Sequence, residues 1–234
     1  YVENSDYALF LELSNENLEL ARKENLNWGQ IDVLMELGES FIKKGNYGVA
    51  INYLNEALTL AQNDEYHPYV GWVTLAIGNA YEGMYNFKSA NEFYQFALDV
   101  FTETETPEGI ALATTNIGNT YLALAAFENS KKYLEIGLQE RLKLEDPVEI
   151  GYVRMFMAWR NMSIGDYSIA KKSILALIVN LNNTINENTG FTVIQAKDLI
   201  ADALCLLSIC EDSLGLVDLK YKRLFDAKDI YSEL

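Results

Sequence analysis

Apolar residues recur along this chain at the three-to-four-residue spacing of amphipathic helices, and short polar turns separate the runs. The turns place Gly or Asn at the end of one run and an aromatic residue at the start of the next, as in Gly45-Asn-Tyr47 and Gly165-Asp-Tyr167. Glycine commonly ends a helix because it adopts positive φ without strain. The pattern predicts an all-α chain built from helical hairpins.

The hairpins repeat with a period of 40 residues. In the first helix of each hairpin, an apolar residue, Gly and an aromatic recur at fixed offsets, and the second helix carries a small-x3-large-x2-small pattern. The first pattern begins at Leu37, Ile77 and Ile117, with a degenerate copy at Met157. The second pattern begins at Ala50, Ala90, Ser130 and Ala170. Pro68, Pro107 and Pro147 keep the same spacing, and proline is favoured in the first turn of a helix.

The small residues have a common physical reason. Two helices that pack as a tight antiparallel pair need short side chains where their axes approach within about 8 to 10 Å. Gly38 and Ala50 fit such a contact in the first hairpin, and their counterparts 40 residues on fit it in the next. One hairpin cannot bury its apolar face alone, so we expect the hairpins to stack.

From about Ile31 to Asn183 this pattern resembles the tetratricopeptide repeat (TPR) family. That family has apolar-Gly-x2-aromatic on the first helix and Ala-x3-aromatic-x2-Ala on the second. The 40-residue period is similar to the repeats of kinesin light chains and spindle-orientation adaptors. The resemblance implies a right-handed superhelix, or α-solenoid, of antiparallel helix hairpins.

We expect a single TPR-like solenoid over residues 1–234. Residues 1–27 hold the helix of a partial repeat or a cap, and residues 191–234 hold a divergent fifth repeat or a C-terminal cap. The regular repeats are 31–64, 71–104, 111–144 and 151–184. A polar loop is expected at residues 182–190, before the last repeat.

Composition excludes several classes of function. The chain has 34 acidic and 18 basic side chains, a formal charge of −16, which disfavours binding to nucleic acid and anionic membrane surfaces. No apolar run is long enough to insert in a membrane. With one His and 2 Cys, His-based triads and most zinc sites are excluded, and no nucleotide-binding motif is present. We expect no cofactor, no metal and no enzymatic activity. Cys205 and Cys210 point to different sides of one helix, so we expect free thiols.

The resemblance implies a concave groove lined by the first helices, where family members bind their ligands. Asn79 and Asn119 recur at one repeat position, and an amide can donate to and accept from a peptide backbone. An Asn beside Gly is also simply tolerated on an exposed helix face, and both interpretations stay open. The expected peptide-binding residues are Met35, Glu39, Trp72, Leu75, Asn79, Asn116, Asn119, Tyr152, Met155, Trp159 and Met162.

The aromatic and Met members of this set form an exposed patch if they face the groove, or are buried between helices if the superhelix pitch covers them. Acidic Asp32, Glu36 and Glu39 near one end favour a ligand with a basic flank, although broad acidity also serves solubility. The groove positions lack Lys and Arg, which disfavours the carboxylate clamp of chaperone-binding family members.

The sequence thus predicts a non-enzymatic scaffold that binds a protein or a peptide segment in its groove. One alternative is a peptide-sensing regulatory domain of a larger signalling protein, similar to pheromone receptors. Another is homo-oligomerisation through an uncapped repeat end. The start at Tyr1 rather than Met suggests a fragment of a longer chain, and the expected location is cytoplasmic.

Overall fold

The computed structural model describes residues 2–63, 67–187 and 191–233, and every secondary-structure element in these ranges is an α-helix. The expected all-α class is therefore confirmed. The helix α1 comes first, and the later helices follow it as successive first and second helices of the repeat. The elements are α1 Val2–Lys23, α2 Asn27–Lys43, α3 Tyr47–Asn63, α4 His67–Gly83, α5 Phe87–Glu103, α6 Pro107–Ala123, α7 Phe127–Leu144, α8 Pro147–Ser163, α9 Tyr167–Glu187, α10 Phe191–Ser213 and α11 Val217–Glu233.

The turn that follows a first helix contains one residue with positive φ, at the position where the repeat predicted a helix end. Gly45 and Gly165 hold this position with φ of 75° and 87°, whereas Tyr85 and Ala125 adopt φ of 59° and 56° without the freedom of glycine. Pro107 is the first residue of α6, and the preceding Thr106 is extended. Proline fits here because the first helical N–H has no partner within the helix.

Contacts between helices divide the chain into two compact units, Tyr1–Leu124 and Ala125–Leu234. Unit 1 contains α1 to α6, and unit 2 contains α7 to α11. In unit 1 the helices pack in chain order, and α2 and α4 also contact each other, as do α4 and α6. In unit 2, α8 also contacts α10. The single solenoid over the whole chain, and the repeat boundaries within it, stay predictions.

Glycines allow the close helix contacts that the repeat predicted. A Cβ atom built on Gly38 would lie 2.6 Å from Leu54 Cγ, and one on Gly78 would lie 2.5 Å from Tyr94 Cε1. Real Cβ atoms do not approach other atoms so closely, so each large side chain of the second helix occupies the space that the glycine leaves open. Both large side chains are fully buried.

In the last hairpin, ion pairs take the place of part of the apolar packing between helices. Glu211 is fully buried, and its carboxylate lies 3.2 Å from Lys171 Nζ and 3.6 Å from Arg223 Nε. These ion pairs join α9, α10 and α11. An isolated buried carboxylate is costly, and two adjacent cations offset that cost. This arrangement explains why the repeat pattern is weakest here.

One local expectation is wrong. The polar segment predicted as a loop at residues 182–190 is helical as far as Glu187. Helix α9 is therefore longer than α3 and α5 by more than one turn. Thr184 is buried in that extension. Residues 188–190 lie outside the described ranges, as does residue 64 at the end of the first predicted repeat.

Candidate functional site

Unit 1 contains a network of polar side chains centred on Tyr94. This residue takes the place that Leu54 holds one repeat earlier, and its ring packs against Gly78. The added hydroxyl reaches the first helix of the hairpin. Tyr94 Oη lies 2.7 Å from Asn79 Oδ1 and 2.6 Å from Glu82 Oε2. Helix α5 therefore supplies, through Tyr94, a hydrogen-bond donor to two side chains of α4.

The next first helix, α6, completes the network. Asn116 Nδ2 donates to Asn79 Oδ1 at 3.3 Å, and Asn119 Nδ2 donates to Glu82 Oε1 at 2.7 Å. Three helices, α4, α5 and α6, are thus joined through side chains. The two asparagines that recur at one repeat position are partners in a fixed network rather than independent surface groups.

Burial governs the electrostatics of the network. Burial raises the pKa of Glu82, while the hydrogen bonds from Tyr94 and Asn119 oppose that rise because they favour the charged carboxylate. Burial and the adjacent Glu82 carboxylate raise the pKa of Tyr94 well above its usual range, so the phenol keeps its proton. A phenol has one proton, and it donates to Glu82 or to Asn79 at any moment.

Each amide of the network uses one polar atom for a hydrogen bond and leaves its other polar atom available. Among the described residues, no hydrogen bond is formed by Asn79 Nδ2, Asn116 Oδ1 or Asn119 Oδ1. The network fixes the orientation of the three amides through their other atoms. One donor and two acceptors are therefore held in place on half-buried side chains, which is the complement that a peptide backbone requires.

An acidic groove with aromatic residues lies between α2 and α4 in the same unit. It has a volume of about 270 Å³ and is lined by Asp32, Met35, Glu36, Glu39, Tyr69 and Trp72. The Trp72 ring packs edge-on against Phe101 with a centroid distance of 4.7 Å, so the indole is held from behind. The groove residues include three of the predicted set, Met35, Glu39 and Trp72.

The other predicted residues differ in accessibility. Leu75 and Met162 are buried and offer little surface to a ligand. In unit 2, Tyr152 and Met155 are half-buried and pack against the core of that unit, whereas Trp159 is 51% exposed. Of the two alternatives for Trp72, Met155, Trp159 and Met162, an exposed patch or burial between helices, Met162 follows the second, because its side chain belongs to the unit 2 core.

Sequence reasoning missed Tyr94, Glu82 and Tyr69 as parts of the site. Glu82 occupied a groove position but was not selected. Tyr94 could have been found from the repeat alignment, since a hydroxyl appears where Leu54 and Leu134 are purely apolar. A buried tyrosine hydroxyl requires a partner, and the partner identifies the network.

The described residues offer little for metal binding or for nucleophilic chemistry. The described residues contain no cluster of three or more His, Cys, Asp or Glu side chains arranged to hold a metal ion. Cys205 and Cys210 are free thiols, and burial raises the pKa of both, which makes them weak nucleophiles. Within the same described ranges, no helix has the length and apolar character needed to cross a membrane.

Comparison with known proteins identifies the repeat. The family model described as "Tetratricopeptide repeat" matches residues 29–103. No curated protein matches the sequence significantly. The crystal structure of BtubC (BKLC) from P. vanneervenii is similar with a TM-score of 0.78 and 18% identity, covering 97% of this chain and 89% of that one.

Two further structures share the fold. A Podosopora anserina putative kinesin light chain with nearly identical TPR-like repeats has a TM-score of 0.67 and 14% identity, covering 87% of this chain and 95% of that one. NprR in complex with its cognate peptide NprX has a TM-score of 0.67 and 16% identity, covering 94% of this chain and 62% of that one.

The repeat family and its neighbours fit a protein-interaction scaffold, and such repeats are typically non-catalytic interaction modules. The matched segment, residues 29–103, corresponds to the hairpins α2–α3 and α4–α5. The helices after it continue the same pattern. Residues 29–103 match the tetratricopeptide-repeat family model, so the chain contains tetratricopeptide repeats in that segment.

Proposed function

We propose that the protein binds an extended peptide segment of a partner on the concave side of unit 1, with a basic residue of the peptide in the groove between α2 and α4. The observation that carries this proposal is the acidic groove lined by Trp72 of α4, together with three amides on α4 and α6 whose orientation is fixed through one atom of each. The ligand is a protein or peptide segment, and the binding is non-enzymatic.

Charge supports the basic residue. Asp32, Glu36 and Glu39 line one groove on a single helix, and among the described residues no ion pair is formed by any of the three. A Lys or Arg side chain that enters the groove would meet carboxylates at its charged end and the Trp72 ring along its alkyl stem. Carboxylates attract the charged group, and an aromatic ring attracts a nearby cation and packs well against the apolar stem.

The asparagines support an extended backbone. Asn79 and Asn119 lie on neighbouring first helices, so a peptide that crosses α4 and α6 passes both. A backbone N–H and a backbone C=O can pair with Oδ1 of one amide and Nδ2 of the other. Because the network already holds both side chains, binding costs little additional side-chain entropy.

A peptide-display selection followed by affinity measurements tests the proposal. We expect selected peptides to carry Lys or Arg next to an apolar residue. Replacing Asp32, Glu36 and Glu39 by their amides should weaken binding at least about tenfold and flatten its salt dependence. The matched control Glu92→Gln changes an exposed carboxylate on α5 and should leave the affinity unchanged.

Backbone recognition is tested on the peptide rather than the protein. Methylating each backbone nitrogen of a selected peptide in turn removes one donor at a time. We expect one position at which methylation weakens binding about tenfold or more, because an acceptor on a half-buried side chain is left without its donor. Equal affinity for all methylated peptides, or binding that survives the triple amide substitution, would refute the proposal.

A second candidate is a peptide-sensing regulatory domain within a larger signalling protein. It is favoured by the similarity to NprR bound to its cognate peptide, of which this chain covers 62%. In that case peptide binding changes the activity of a further domain. Comparing that activity in the full-length protein with and without a selected peptide distinguishes a sensor from a simple scaffold.

A further inference from the structure

Unit 2 contains a pocket between the helices α7, α8 and α9. Its volume of about 320 Å³ lies near the lower end of the range of small-molecule sites. Apolar and polar side chains share the lining, which includes Leu138, Met157 and Ala176 together with Arg154, Asn161 and Asn180. The described residues that line it include no acidic side chain, although the chain has 34 of them. We call it the unit 2 pocket.

Arg154 is half-buried in this pocket, and its guanidinium has no partner within the described part of the chain. It forms neither an ion pair nor a hydrogen bond there. The other arginines differ, since each forms an ion pair with a carboxylate: Arg22, Arg141, Arg160 and Arg223. A guanidinium that is partly removed from water without a counter-ion costs free energy, and an anion that enters the pocket offsets that cost.

The repeat shows that the unit 2 pocket takes the place of an aromatic contact. Two steps of 40 residues place Asn161 and Ser173 at the positions of Tyr81 and Phe93. The Phe93 ring stacks on Tyr81 with centroids 5.2 Å apart, and the equivalent rings of the first hairpin also stack. Because Asn and Ser are smaller, the hairpin α8–α9 leaves open a space that rings fill in α4–α5.

The charged side chain is specific to this hairpin. Arg154 takes the place of Thr74, which lines the equivalent pocket between α3, α4 and α5. Thr74 Oγ1 donates to the carbonyl of Val70 in its own helix, so its one donor is already used. Ala176 takes the place of Phe96, which removes a further ring. These changes replace rings and a satisfied hydroxyl by open space beside a cation.

Two amides add hydrogen-bond donors to the unit 2 pocket. Asn161 Oδ1 accepts from Arg160 Nη1 at 3.2 Å, and its Nδ2 has no partner among the described residues. The Asn180 side chain forms no hydrogen bond in the same ranges. A guanidinium presents parallel N–H groups that match the two oxygens of a carboxylate, and amide N–H groups can donate to the remaining lone pairs. One cation beside apolar side chains favours a monoanion over a dianionic phosphate.

We propose that the unit 2 pocket binds a carboxylate carried on a short apolar stem. The Arg154 guanidinium pairs with the carboxylate, the amides of Asn161 and Asn180 donate to it, and the stem packs against Leu138 and Met157. Such a group is supplied by a free carboxylic acid or by a Glu side chain of a partner protein. The site uses no residue of the groove between α2 and α4 and does not rest on the proposed peptide binding.

Nuclear magnetic resonance of methionine methyl groups measures the binding, because Met157 lines the unit 2 pocket and Met35 in unit 1 serves as reference. The probes are two pairs, hexanoate with hexanamide and N-acetylglutamic acid α-amide with N-acetylglutamine amide. The members of a pair differ in charge at nearly the same shape. At constant ionic strength, we expect a carboxylate to shift the Met157 signal saturably and its neutral partner to bind at least about tenfold more weakly. The carboxylate that binds more tightly identifies the source.

Protein variants locate the probe in the pocket. Arg154→Gln should weaken carboxylate binding at least about tenfold and abolish the preference over the neutral probe. Lys172→Gln is the matched control, since it removes the same charge from an exposed residue of α9 that does not line the pocket, and it should bind as the wild type does. Ser173→Phe restores the ring that Phe93 provides in unit 1 and should close the pocket. Thermal unfolding checks that each variant remains folded.

Several outcomes would overturn the proposal. One is equal binding of the charged and neutral members in both pairs, and another is unchanged carboxylate binding by Arg154→Gln. A loss in Lys172→Gln as large as that in Arg154→Gln would show general attraction by positive charge instead of a defined site. If none of the four probes shifted the Met157 signal up to its limit of solubility, Arg154 would only fill the space left by the missing rings.

Discussion

Replacing Tyr94 by Phe tests the polar network with the smallest change the structure allows. The substitution removes one oxygen, which lies 2.6 Å from Glu82 Oε2 and 2.7 Å from Asn79 Oδ1. The ring keeps its position against Gly78, so the apolar packing between α4 and α5 is unchanged. The measured effect therefore reports the hydrogen bonds alone.

The expected cost follows from what each partner retains. Asn79 Oδ1 still accepts from Asn116, whereas Glu82 keeps only the donor from Asn119. Hydrogen bonds to a charged group contribute about 1.5 to 3 kcal/mol, and a buried carboxylate that loses a donor bears most of that cost. We expect Tyr94→Phe to lower the free energy of unfolding by about 2 kcal/mol. For a chain of this size, that corresponds to a Tm lower by about 4 to 8 °C.

Urea denaturation followed by tryptophan fluorescence measures this change in unit 1. A Trp159→Phe background removes the unit 2 tryptophan and leaves Trp28 and Trp72 as reporters of unit 1. Tyr53→Phe is the matched control, because its ring stacks on an aromatic residue while its hydroxyl forms no hydrogen bond within the described residues. The control should change stability by less than about 0.5 kcal/mol.

A double-mutant cycle with Glu82→Gln separates the charged contribution. A neutral amide oxygen at position 82 accepts a weaker hydrogen bond, worth about 1 kcal/mol. Tyr94→Phe should therefore cost about 1 kcal/mol less in the Glu82→Gln background than in the wild type. If the cost were the same in both backgrounds, or below about 0.5 kcal/mol in the wild type, the described network would not carry the energy assigned to it.

Four further outcomes can be measured on single variants. Burial raises the pKa of Glu82 above 4.5 in the folded protein. The stability that Glu82 contributes is therefore complete below pH 4.5 and is lost as the pH rises through the folded-state pKa. Urea titrations at a series of pH values should show the wild type losing stability relative to Glu82→Gln as the pH rises through that range. Gly78→Ala should cost about 1 to 3 kcal/mol in urea because its Cβ would meet the Tyr94 ring, whereas Gly48→Ala, with nothing within 4 Å, should stabilise by up to about 1 kcal/mol. Ala125→Gly should raise the Tm, since φ of 56° strains a non-glycine residue by about 1 kcal/mol; an unchanged Tm would contradict that strain. Glu211→Gln should cost about 3 kcal/mol by urea denaturation monitored in unit 2, because it leaves two cations beside a neutral group.

The fold was predictable because the signals that specify it are local and repeated. Gly38 and Gly78 are small where a neighbouring helix needs the space, and Gly45 and Gly165 end helices through positive φ. The polar loop predicted at residues 182–190 was wrong as far as Glu187 because Asn and Thr in sequence favour a turn only weakly. Packing of the buried Thr184 outweighs that preference and extends α9.

The site was less predictable because its geometry depends on residues from three helices. Asn79 and Asn119 were identified from their recurrence, yet the sequence does not show which half of each amide remains unused. For Asn79 that choice is made by Tyr94, which lies on a different helix and reaches the amide because Gly78 leaves room for its ring. For Asn119 it is made by Glu82 of α4. Distances between helices, rather than positions along one helix, determine which atom of each amide stays available.

The same network explains how the proposed binding surface can be polar and still rigid. If Asn79, Asn116 and Asn119 were separate surface groups, each would have to be ordered when a ligand bound, at a cost in side-chain entropy. In the structure, Tyr94 donates to Asn79, Asn116 donates to Asn79, and Asn119 donates to Glu82. Each amide is held through one atom and leaves the other atom available. The energy that fixes the amides comes from folding of unit 1. A ligand that pairs with them can therefore be short and still bind with measurable affinity, and Tyr94→Phe should weaken peptide binding although the tyrosine is fully buried.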